Sequence, residues 1–516
     1  MGIPVYFKNL LQDHSNKILQ KPKTIHNVFF DLNCLLHPCC SSVKSGDELE
    51  MIQTIKQSIQ ELIDFTGVTD LIYIAIDGPA PRAKMEQQKQ RRFKNSLEEK
   101  IWDTSAITPG TYFMKQLNKE LNLFITSDIV FSGTIILSDS TEPGEGEHKI
   151  LTYLKQKKQH LQDQTNIIYG LDADLIMLAL VSEYNHIYLL REKTEYNIEN
   201  LQGIYIYLDI SILKQKIIDS FDLQYDGLSH KTIIQDYIFI CFFLGNDFIK
   251  HIPSLQLRYS GLDYLLSVYK TLQKRYSGYF YLIQVESNSI LYLPFLKEFI
   301  YELSNKEDKY VELMIQIRKK QSSTMKLKYN EYYEAYCQTT QNLYSVHDQS
   351  TFIKSSLFHE DERQECSEMY MNLPILDRHQ EEIVFQDMKQ WRKRYYQMIE
   401  LDITIEELCE TYIQSILWTT YYYFKECYSW SYYYPFHYTP TLQDINKYLH
   451  QQKHIVDMIQ KDNQPWTAEQ QVRYVMPLSK FHLFTNETPK QEKIDYKTYS
   501  FMKRYLWECE ISFPRE

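Results

Sequence analysis

Short apolar runs alternate with amphipathic stretches along the first half of the chain. Four runs have the length and apolar character of buried parallel strands, and they read NVFFDLN, DLIYIAIDG, NIIYGLDAD and HIYLLRE. Between these runs, residues 46–67 and 146–159 carry apolar side chains at helical spacing. This alternation predicts an α/β fold in which helices flank a mostly parallel central sheet.

The second half is predicted to be mainly helical. Residues 232–262 indicate a buried helix, a Gly-Asn-Asp turn and a second short helix. A long helix begins near Thr404 with an acidic first turn and continues until Pro435 and Pro440 break it. Residues 303–390 are polar and weakly periodic, so we interpret them as a connecting region with some helix. We therefore expect an α/β catalytic region at 1–270, a variable connecting region at 271–390 and a mainly helical region at 391–516.

The composition describes a large globular protein. Its 516 residues, 44% of them hydrophobic, are enough to bury a substantial core. The N-terminus lacks a signal-peptide pattern and no run of 18 apolar residues occurs, so we expect a soluble protein with no membrane partner. Nine cysteines without a Cys-x-x-Cys pair favour reduced thiols. The net charge of −11 excludes a global attraction for nucleic acid, so any polyanion site must be a local basic patch.

Two carboxylate pairs are the most informative polar residues. Asp172 and Asp174 follow the apolar run 165–170, and side chains two apart in a strand-like stretch point the same way. Glu145 and Glu147 flank a glycine at a predicted helix start. Each pair has an ordinary alternative, because an Asp-x-Asp motif often lies in a solvated turn and glutamates often occupy helix N-termini.

Three further acids follow predicted strands or helices, and the carboxyl ends of parallel strands meet at one edge of a sheet. Crowded carboxylates repel one another and raise each other's pKa, whereas a hard divalent cation such as Mg²⁺ removes that conflict. The economical interpretation is a site for two metal ions that hydrolyses phosphodiesters by in-line displacement. Its ligands would be Asp31, Asp77, Glu145, Glu147, Asp172, Asp174 and Asp247.

A basic helical face follows the second predicted strand. Lys84, Gln88, Arg91 and Arg92 recur at positions i, i+4, i+7 and i+8, which lie on one side of a helix. Such a run is usually a solvated face. Beside a metal site, its ammonium, amide and guanidinium groups would suit a terminal phosphate, which arginine contacts in bidentate fashion.

Several long motifs, in their order along the chain, resemble the XRN family of 5′→3′ exoribonucleases. The first group is MGIPVYFKNLL, FFDLNCLLH, AIDGPAPRAKMEQQKQRRF, ITPGTYFM, EPGEGEHKI, GLDADLIML, LLRE and FLGNDFIKHIP. The second group is YIQSILWTTYYYFKECYSWSYYYPFHYTP, QPWTAEQQVRYVMP and RYLWECEISFPRE. The resemblance covers nearly the whole chain except about 303–390.

The resemblance implies a catalytic core of the flap-nuclease or PIN-like type, with the seven acids as metal ligands. It also implies that the basic face of residues 84–92 holds a 5′-monophosphate. His37 would stack on the terminal base, although without the resemblance it could equally be a core or turn histidine. Its aromatic partner would be Trp418, within the long helix, or Trp430, beyond it. We favour Trp430 because a loop can reach the site.

The chain departs from the family pattern in places. Gln90 replaces a common glycine, and Tyr432 replaces the second tryptophan of an SWSW motif. The sequence also ends with the conserved core. We therefore expect a compact, catalytic-core-only member from a divergent source such as a virus or a protist.

The expected activity is processive 5′→3′ degradation of single-stranded RNA that carries a 5′-monophosphate, releasing 5′-mononucleotides in RNA or mRNA decay. Two Mg²⁺ ions are the expected cofactors, with Mn²⁺ able to substitute. A cytoplasmic location is expected, with the nucleus as the alternative. Two other functions stay open, namely a structure-specific flap-type 5′ nuclease and a catalytically idle RNA-binding scaffold.

Overall fold

A six-stranded β-sheet forms the centre of the first half of the protein in the computed structural model. The structure describes residues 21–96, 101–172, 174–193, 204–221, 229–287, 289–339, 362–453, 459–488 and 498–512. The strands of the sheet are β1 (Asn27–Asp31), β2 (Leu71–Ala75), β3 (Thr134–Ser138), β4 (Asn166–Tyr169), β5 (Ile187–Glu192) and β6 (Tyr205–Asp209). Their spatial order is β3-β2-β1-β4-β5-β6, and every neighbouring pair is parallel except β5 with β6.

Helices make up most of the remaining described chain. They are α1 (Asn33–Ser42), α2 (Glu48–Thr66), α3 (Arg82–Asn95), α4 (Tyr112–Leu123), α5 (Gly146–Gln156), α6 (Lys158–Leu161), α7 (Asp174–Val181), α8 (Ile210–Ser220), α9 (His230–Phe242), α10 (Gly261–Arg275), α11 (Leu293–Ser304), α12 (Glu307–Thr339), α13 (Glu362–Met371), α14 (Leu373–Leu376), α15 (His379–Val384), α16 (Trp391–Met398), α17 (Ile405–Phe424), α18 (Leu442–Gln451) and α19 (Ala468–Val475). Among these described helices, none has the length and apolar character that a membrane span needs. A short pair of antiparallel strands, β7 (Thr498–Tyr499) and β8 (Glu510–Ile511), lies near the end of the described chain.

Both faces of the central sheet are covered by helices. In β1, Phe29 packs into a core that includes residues of α5, α7 and α9, whereas Val28 and Phe30 pack into a second core with α1, α2 and α4. All three side chains are fully buried, because successive residues of a strand face opposite sides of the sheet. The predicted fold class, a mostly parallel sheet flanked by helices with a helical region after it, is confirmed.

The four predicted strands are confirmed as β1, β2, β4 and β5, and they run parallel to their neighbours in the order β2-β1-β4-β5. The sequence prediction missed β3 and β6, which are the two edge strands. Most residues of β3 are partly exposed, and β6 pairs antiparallel with β5. Edge strands bury less apolar surface than central parallel strands, so their sequences carry a weaker signal.

In the helical half, the long helix α17 begins where the sequence predicts, next to Thr404. Thr404 and Glu407 form a capping box at the beginning of α17, in which each side chain accepts a hydrogen bond from the other residue's backbone N–H. The prediction that Pro435 ends this helix is wrong, because Lys425 already leaves the helical region with φ −120° and ψ −92°. The short helix predicted after the Gly-Asn-Asp turn is only the 3₁₀ turn Leu257–Tyr259.

Helix α12 occupies much of the region that the sequence indicated as a connecting segment. It is 33 residues long and has one non-helical residue, Tyr329. Arg318 on its inner side is fully buried, pairs with Glu381 of α15 and donates to the Tyr259 hydroxyl over 2.9 Å. The periodicity is weak because the buried face of this helix contains a paired charge and other polar residues in place of an unbroken apolar stripe.

Asp236 anchors the segment that follows α10. It lies in α9, is fully buried, and accepts hydrogen bonds from the backbone N–H groups of Leu282 (2.9 Å) and Ile283 (3.1 Å). The Tyr269 hydroxyl donates to the same carboxyl group over 2.6 Å. Burial raises the pKa of Asp236 to about 7, so this residue couples the stability of α9 to pH.

We expect Asp236→Asn to flatten part of the dependence of stability on pH. The pKa of Asp236 is higher in the folded protein than in the unfolded chain, so its contribution is present at low pH and is lost as pH rises from about 4 through about 7. The difference in Tm, variant minus wild type, should therefore increase between pH 5 and pH 8 in metal-free buffer. Parallel Tm curves for the two proteins over this range would contradict the assignment.

Candidate metal and substrate site

Three of the predicted acids lie at the carboxyl edge of the parallel sheet. Asp31 is the last residue of β1, Asp77 follows β2, and Asp172 follows β4. Burial, and then the neighbouring charges of Asp77 and Asp172, raise the pKa of Asp31 well above its usual range. The topology of the sheet thus brings these three carboxyl groups within electrostatic reach of one another.

The other four acids reach the same edge from helix ends and a turn. Glu145 is the N-cap of α5, Glu147 lies in its first turn, and Asp174 is the first residue of α7. Burial, followed by Asp174 and Glu145, raises the pKa of Glu147, to which Asp31 also contributes. Burial and the charge of Asp247 raise the pKa of Asp174 to about 7. All seven predicted acids therefore belong to one electrostatic cluster.

Asp172 and Asp174 come together by a different route from the predicted one. Strand β4 ends at Tyr169, so Asp172 lies in the loop after it and Asp174 begins a helix. The prediction that strand alternation points both side chains the same way is wrong. The loop and the start of α7 direct them instead, and Asp172 adds to the burial and the Asp247 charge that raise the pKa of Asp174.

Gly146 allows the start of α5 to approach the sheet. Its backbone N–H donates to Asp77 Oδ1 over 2.7 Å. A Cβ atom at this position would lie 2.8 Å from Asp31 Oδ1, which is too close for a carbon and an oxygen that are not hydrogen-bonded. The glycine between Glu145 and Glu147 thus lets the start of α5 approach Asp31 and Asp77 closely.

Lys84 is a buried cation within this cluster. Its Nζ lies 2.6 Å from Glu145 Oε2 and 2.8 Å from Asp247 Oδ2. Burial alone would raise the pKa of Asp247, but Lys84 holds that pKa well below its usual range. One ammonium cannot neutralise seven acids, and burial together with the charges of neighbouring acids raises the pKa values of Asp31, Glu147 and Asp174.

The donor set fits hard divalent cations. Asp31 Oδ1 and Asp174 Oδ1 are buried and have no hydrogen-bond partner among the described residues, so two oxygens stand ready to accept a ligand. Glu145, Glu147 and His148 each place a potential ligand atom within 4.8 Å of the others. Carboxylate oxygens in excess of nearby positive charge are the environment that Mg²⁺ and Mn²⁺ prefer.

The four residues of the basic face share helix α3 but differ in their surroundings. Lys84 forms ion pairs with two of the acids. Buried Gln88 accepts a hydrogen bond from Gln471 Nε2 over 3.0 Å. Buried Arg92 donates to Thr108 Oγ1 (2.9 Å) and to the Ile107 carbonyl (3.0 Å).

Arg91 is half-buried, and its Nε has no hydrogen-bond partner among the described residues. Arg91 is therefore the member with donor capacity to spare.

His37 lies near the two arginines of this face. Much of its side chain is exposed. The protein around its ring, with the positive charges of Arg92 and Arg91, lowers the pKa of His37 to about 4. The imidazole is therefore neutral near pH 7, which suits stacking on a base. Its stacking role stays a prediction.

The two candidate tryptophans differ sharply in accessibility. Trp418 is 1% exposed, donates from Nε1 to the Ser429 carbonyl over 2.7 Å and stacks on Tyr422. It has no free face for a base. Trp430 is half-buried, and its carbonyl accepts a hydrogen bond from the Arg82 N–H at the start of α3 over 2.8 Å. These surroundings favour Trp430, whose stacking role also stays a prediction.

A cavity of about 950 Å³ lies alongside helix α3 and opens onto the acidic cluster at Asp247. Basic and aromatic side chains from distant parts of the chain contribute to its lining. Among them are Arg91, Lys250, Phe436, Lys503 and Trp507. A lining of this composition is typical of sites that bind single-stranded nucleic acid, where cations contact the backbone and aromatic rings stack on bases.

Two contacts of the acidic cluster were missed by the sequence analysis. Cys34 Sγ donates to Asp31 Oδ2 over 3.4 Å and accepts from the Leu171 N–H over 3.2 Å. Its position, three residues after Asp31 at the start of a helix, was a signal that could have been used. The Tyr422 hydroxyl donates to Glu145 Oε1 over 2.7 Å, and no local pattern marks that contact because 277 residues separate the partners.

Comparison with known proteins matches two family models in tandem. Residues 1–193 match the model described as XRN 5′-3′ exonuclease N-terminus, and residues 228–483 match the Xrn1 helical domain. Relatives called 5′-3′ exoribonuclease 1 from Homo sapiens, Schizosaccharomyces pombe and Saccharomyces cerevisiae are each 27% identical, over 100%, 87% and 92% of this chain. The chain spans 33%, 42% and 39% of the lengths of these three relatives.

Among solved structures, the catalytic core of Rad2 in complex with a DNA substrate aligns with 60% of this chain and 98% of that core, at 14% identity and a TM-score of 0.29. That score is too low to carry an argument. The two family models, by contrast, follow one another along most of the sequence and include all seven acids. The chain belongs to the XRN family of 5′-3′ exonucleases.

Proposed function

We propose that this protein is a processive, Mg²⁺-dependent 5′→3′ exoribonuclease that degrades single-stranded RNA with a 5′-monophosphate to 5′-mononucleotides. The observation that carries the proposal is the convergence of seven carboxyl groups at one sheet edge beside a basic helix. Its relatives bear the name 5′-3′ exoribonuclease. A role in mRNA decay in the cytoplasm completes the proposal.

The acidic cluster would hold two divalent ions. The ligands would be drawn from Asp31, Asp77, Glu145, Glu147, Asp172, Asp174 and Asp247. When bound, two such ions supply activation of a water molecule and stabilisation of the oxygen that leaves. The protein's own contribution is to hold the carboxyl groups against their repulsion and to keep the site largely buried, which strengthens every charge interaction within it.

Lys84 links the acids to the end of the substrate. In the structure its ammonium group neutralises part of Glu145 and Asp247. If bound cations compensated those two carboxylates, the Lys84 ammonium group, near the start of α3, could turn towards a phosphate of the substrate. Lys84 therefore serves two sites in succession, and its position next to the acids sets how far the terminal phosphate lies from the bond to be cleaved.

The remaining groups of the basic face would select the 5′ end. A terminal monophosphate offers oxygens to several donors and carries a charge near −2, whereas a hydroxyl end offers neither. A triphosphate or a cap would add bulk where the pocket closes. Arg91 would donate from Nε, which has no hydrogen-bond partner among the residues that the structure describes. His37 and Trp430 would stack on the first base without reading its identity.

The two other functions are less well supported. A flap-type nuclease shares clustered acids, but the named relatives are exoribonucleases and the match extends through the Xrn1 helical domain. An idle scaffold would not need seven clustered acids, which repel one another. Degradation of end-labelled RNA separates the candidates, because the proposed enzyme releases mononucleotides and a flap nuclease releases oligonucleotides.

Asp174→Asn should abolish most turnover while leaving the fold intact. Loss of a residue that merely supports a ligand costs up to about 100-fold, so loss of a ligand should reduce kcat at least that much. Metal-free Tm should stay the same or rise, because Asp174 no longer repels Asp247 and Glu147. The exposed Asp163 provides the control variant Asp163→Asn. Near-normal rates for Asp174→Asn in saturating Mg²⁺ would refute the assignment.

Arg91→Ala should remove much of the preference for a 5′-monophosphate. Loss of a charge-assisted contact costs about 1.5–3 kcal/mol, which corresponds to about 10- to 100-fold. The measurement is kcat/KM for one RNA carrying, in turn, a 5′-monophosphate, a triphosphate, a cap or a hydroxyl. Lys115→Ala is the control, since it removes a positive charge from an exposed position in α4 that does not line the cavity. If Arg91→Ala slowed the degradation of monophosphate and hydroxyl RNA equally, Arg91 would belong to an ordinary solvated basic face and would not select the 5′ end.

We expect Trp430 to contact the substrate and Trp418 to be a core residue. Trp430→Ala and His37→Ala should shorten the runs before dissociation, because base stacking is worth about 1–3 kcal/mol. Trp418→Ala should instead lower the free energy of unfolding by about 3–5 kcal/mol, because a large side chain leaves the core. Single-turnover assays and chemical denaturation distinguish these effects. A fully stable Trp418→Ala with short runs would reverse the assignment.

A further inference from the structure

Tyr422 connects the helical half of the protein to the acidic cluster. It lies in α17, is 4% exposed, and donates from its hydroxyl to Glu145 Oε1 over 2.7 Å. Its ring lies between two others, with centroids 3.7 Å from that of His148 and 4.9 Å from that of Trp418. The Trp418 ring is nearly parallel to it, at 16°. These two contacts restrict the position of the tyrosine ring and keep its hydroxyl directed at Glu145.

The contact fixes one of the two oxygens of Glu145. Oε1 accepts from Tyr422, and Oε2 faces the Lys84 ammonium at 2.6 Å. A cation that approaches the cluster competes with Lys84 for Oε2, because both carry positive charge. The neutral hydroxyl on Oε1 does not compete, and its hydrogen bond favours one orientation of the carboxyl group. Glu145 is therefore presented to the cluster through a defined oxygen.

The neighbouring residue of the same helix acts on a second acid. The side chain of Tyr423 is buried and interacts with that of Asp174. Two successive residues of α17 thus contact acids that start two different helices, α5 and α7. The helical region contributes contacts to the acidic site itself, in addition to any contact with substrate.

We propose that Tyr422 is a positioning residue for the metal site, which holds Glu145 in the orientation that binds a divalent ion. The inference rests on the metal-dependent function proposed above. Outer contacts that orient a ligand typically change metal affinity by about 10- to 100-fold when removed. The competing explanation is that Glu145 merely accepts a hydrogen bond from a buried tyrosine hydroxyl. In that case, loss of the hydroxyl would alter the stability of the fold and leave metal affinity unchanged.

Tyr422→Phe tests the proposal because it removes only the hydroxyl and keeps the ring between His148 and Trp418. Tyr412→Phe is a matched control, since Tyr412 lies in the same helix, is fully buried, and has a hydroxyl without a partner among the described residues. Circular dichroism establishes that both variants are folded. Binding of Mn²⁺ alone, without RNA, is then measured by electron paramagnetic resonance. The Kd for Mn²⁺ should rise at least about tenfold in Tyr422→Phe and remain at the wild-type value in Tyr412→Phe.

Kinetics provide a second readout. The Mg²⁺ concentration for half-maximal RNA degradation should rise in Tyr422→Phe, with kcat recovering at high Mg²⁺ and KM for RNA unchanged. Equal Mn²⁺ affinity in Tyr422→Phe and Tyr412→Phe would overturn the inference, even if one variant were less stable. Failure of the wild-type protein to bind Mn²⁺ would instead contradict the proposed function, so the two failures are distinguishable.

Discussion

Repulsion among buried carboxyl groups is the constraint on which the rest of this site depends. Seven acids from five separate stretches of chain share one edge of the sheet, and Lys84 is a cation in direct contact with two of them. Burial and mutual charge raise the pKa values of Asp31, Glu147 and Asp174. The arrangement does not stabilise the fold, so the packing around it must supply the free energy that keeps the acids together.

The fold meets this constraint with rigid elements and close contacts. Parallel strands β1 and β2 deliver two acids to one edge, and a glycine at the start of α5 lets Glu145 and Glu147 approach them. Helix α17 adds a hydroxyl donor from the other half of the chain. Because these contacts join segments far apart in sequence, the acidic site is completed only when both halves of the protein are folded together.

The sequence predicts the parts of this structure that are encoded locally. Apolar runs identify the central strands, and Thr404 with Glu407 marks the start of α17. For the region of α12 the sequence indicated only some helix, because Arg318 interrupts the apolar face and periodicity cannot distinguish a paired buried charge from a solvated one. The acids were found through strand ends and motif order, whereas the direction of Asp172 and Asp174 depends on a loop and a helix start. The Tyr422–Glu145 contact has no local signal, since it depends on tertiary packing.

We propose that the acidic cluster binds two divalent ions. Crystals grown or soaked with Mn²⁺ would test it most directly, because anomalous scattering locates manganese without reference to activity. We expect two anomalous peaks about 4 Å apart between the carboxyl groups of β1, α5 and α7, with Lys84 displaced from Glu145 Oε2. Manganese absent from the cluster, with Lys84 still bridging Glu145 and Asp247, would contradict it.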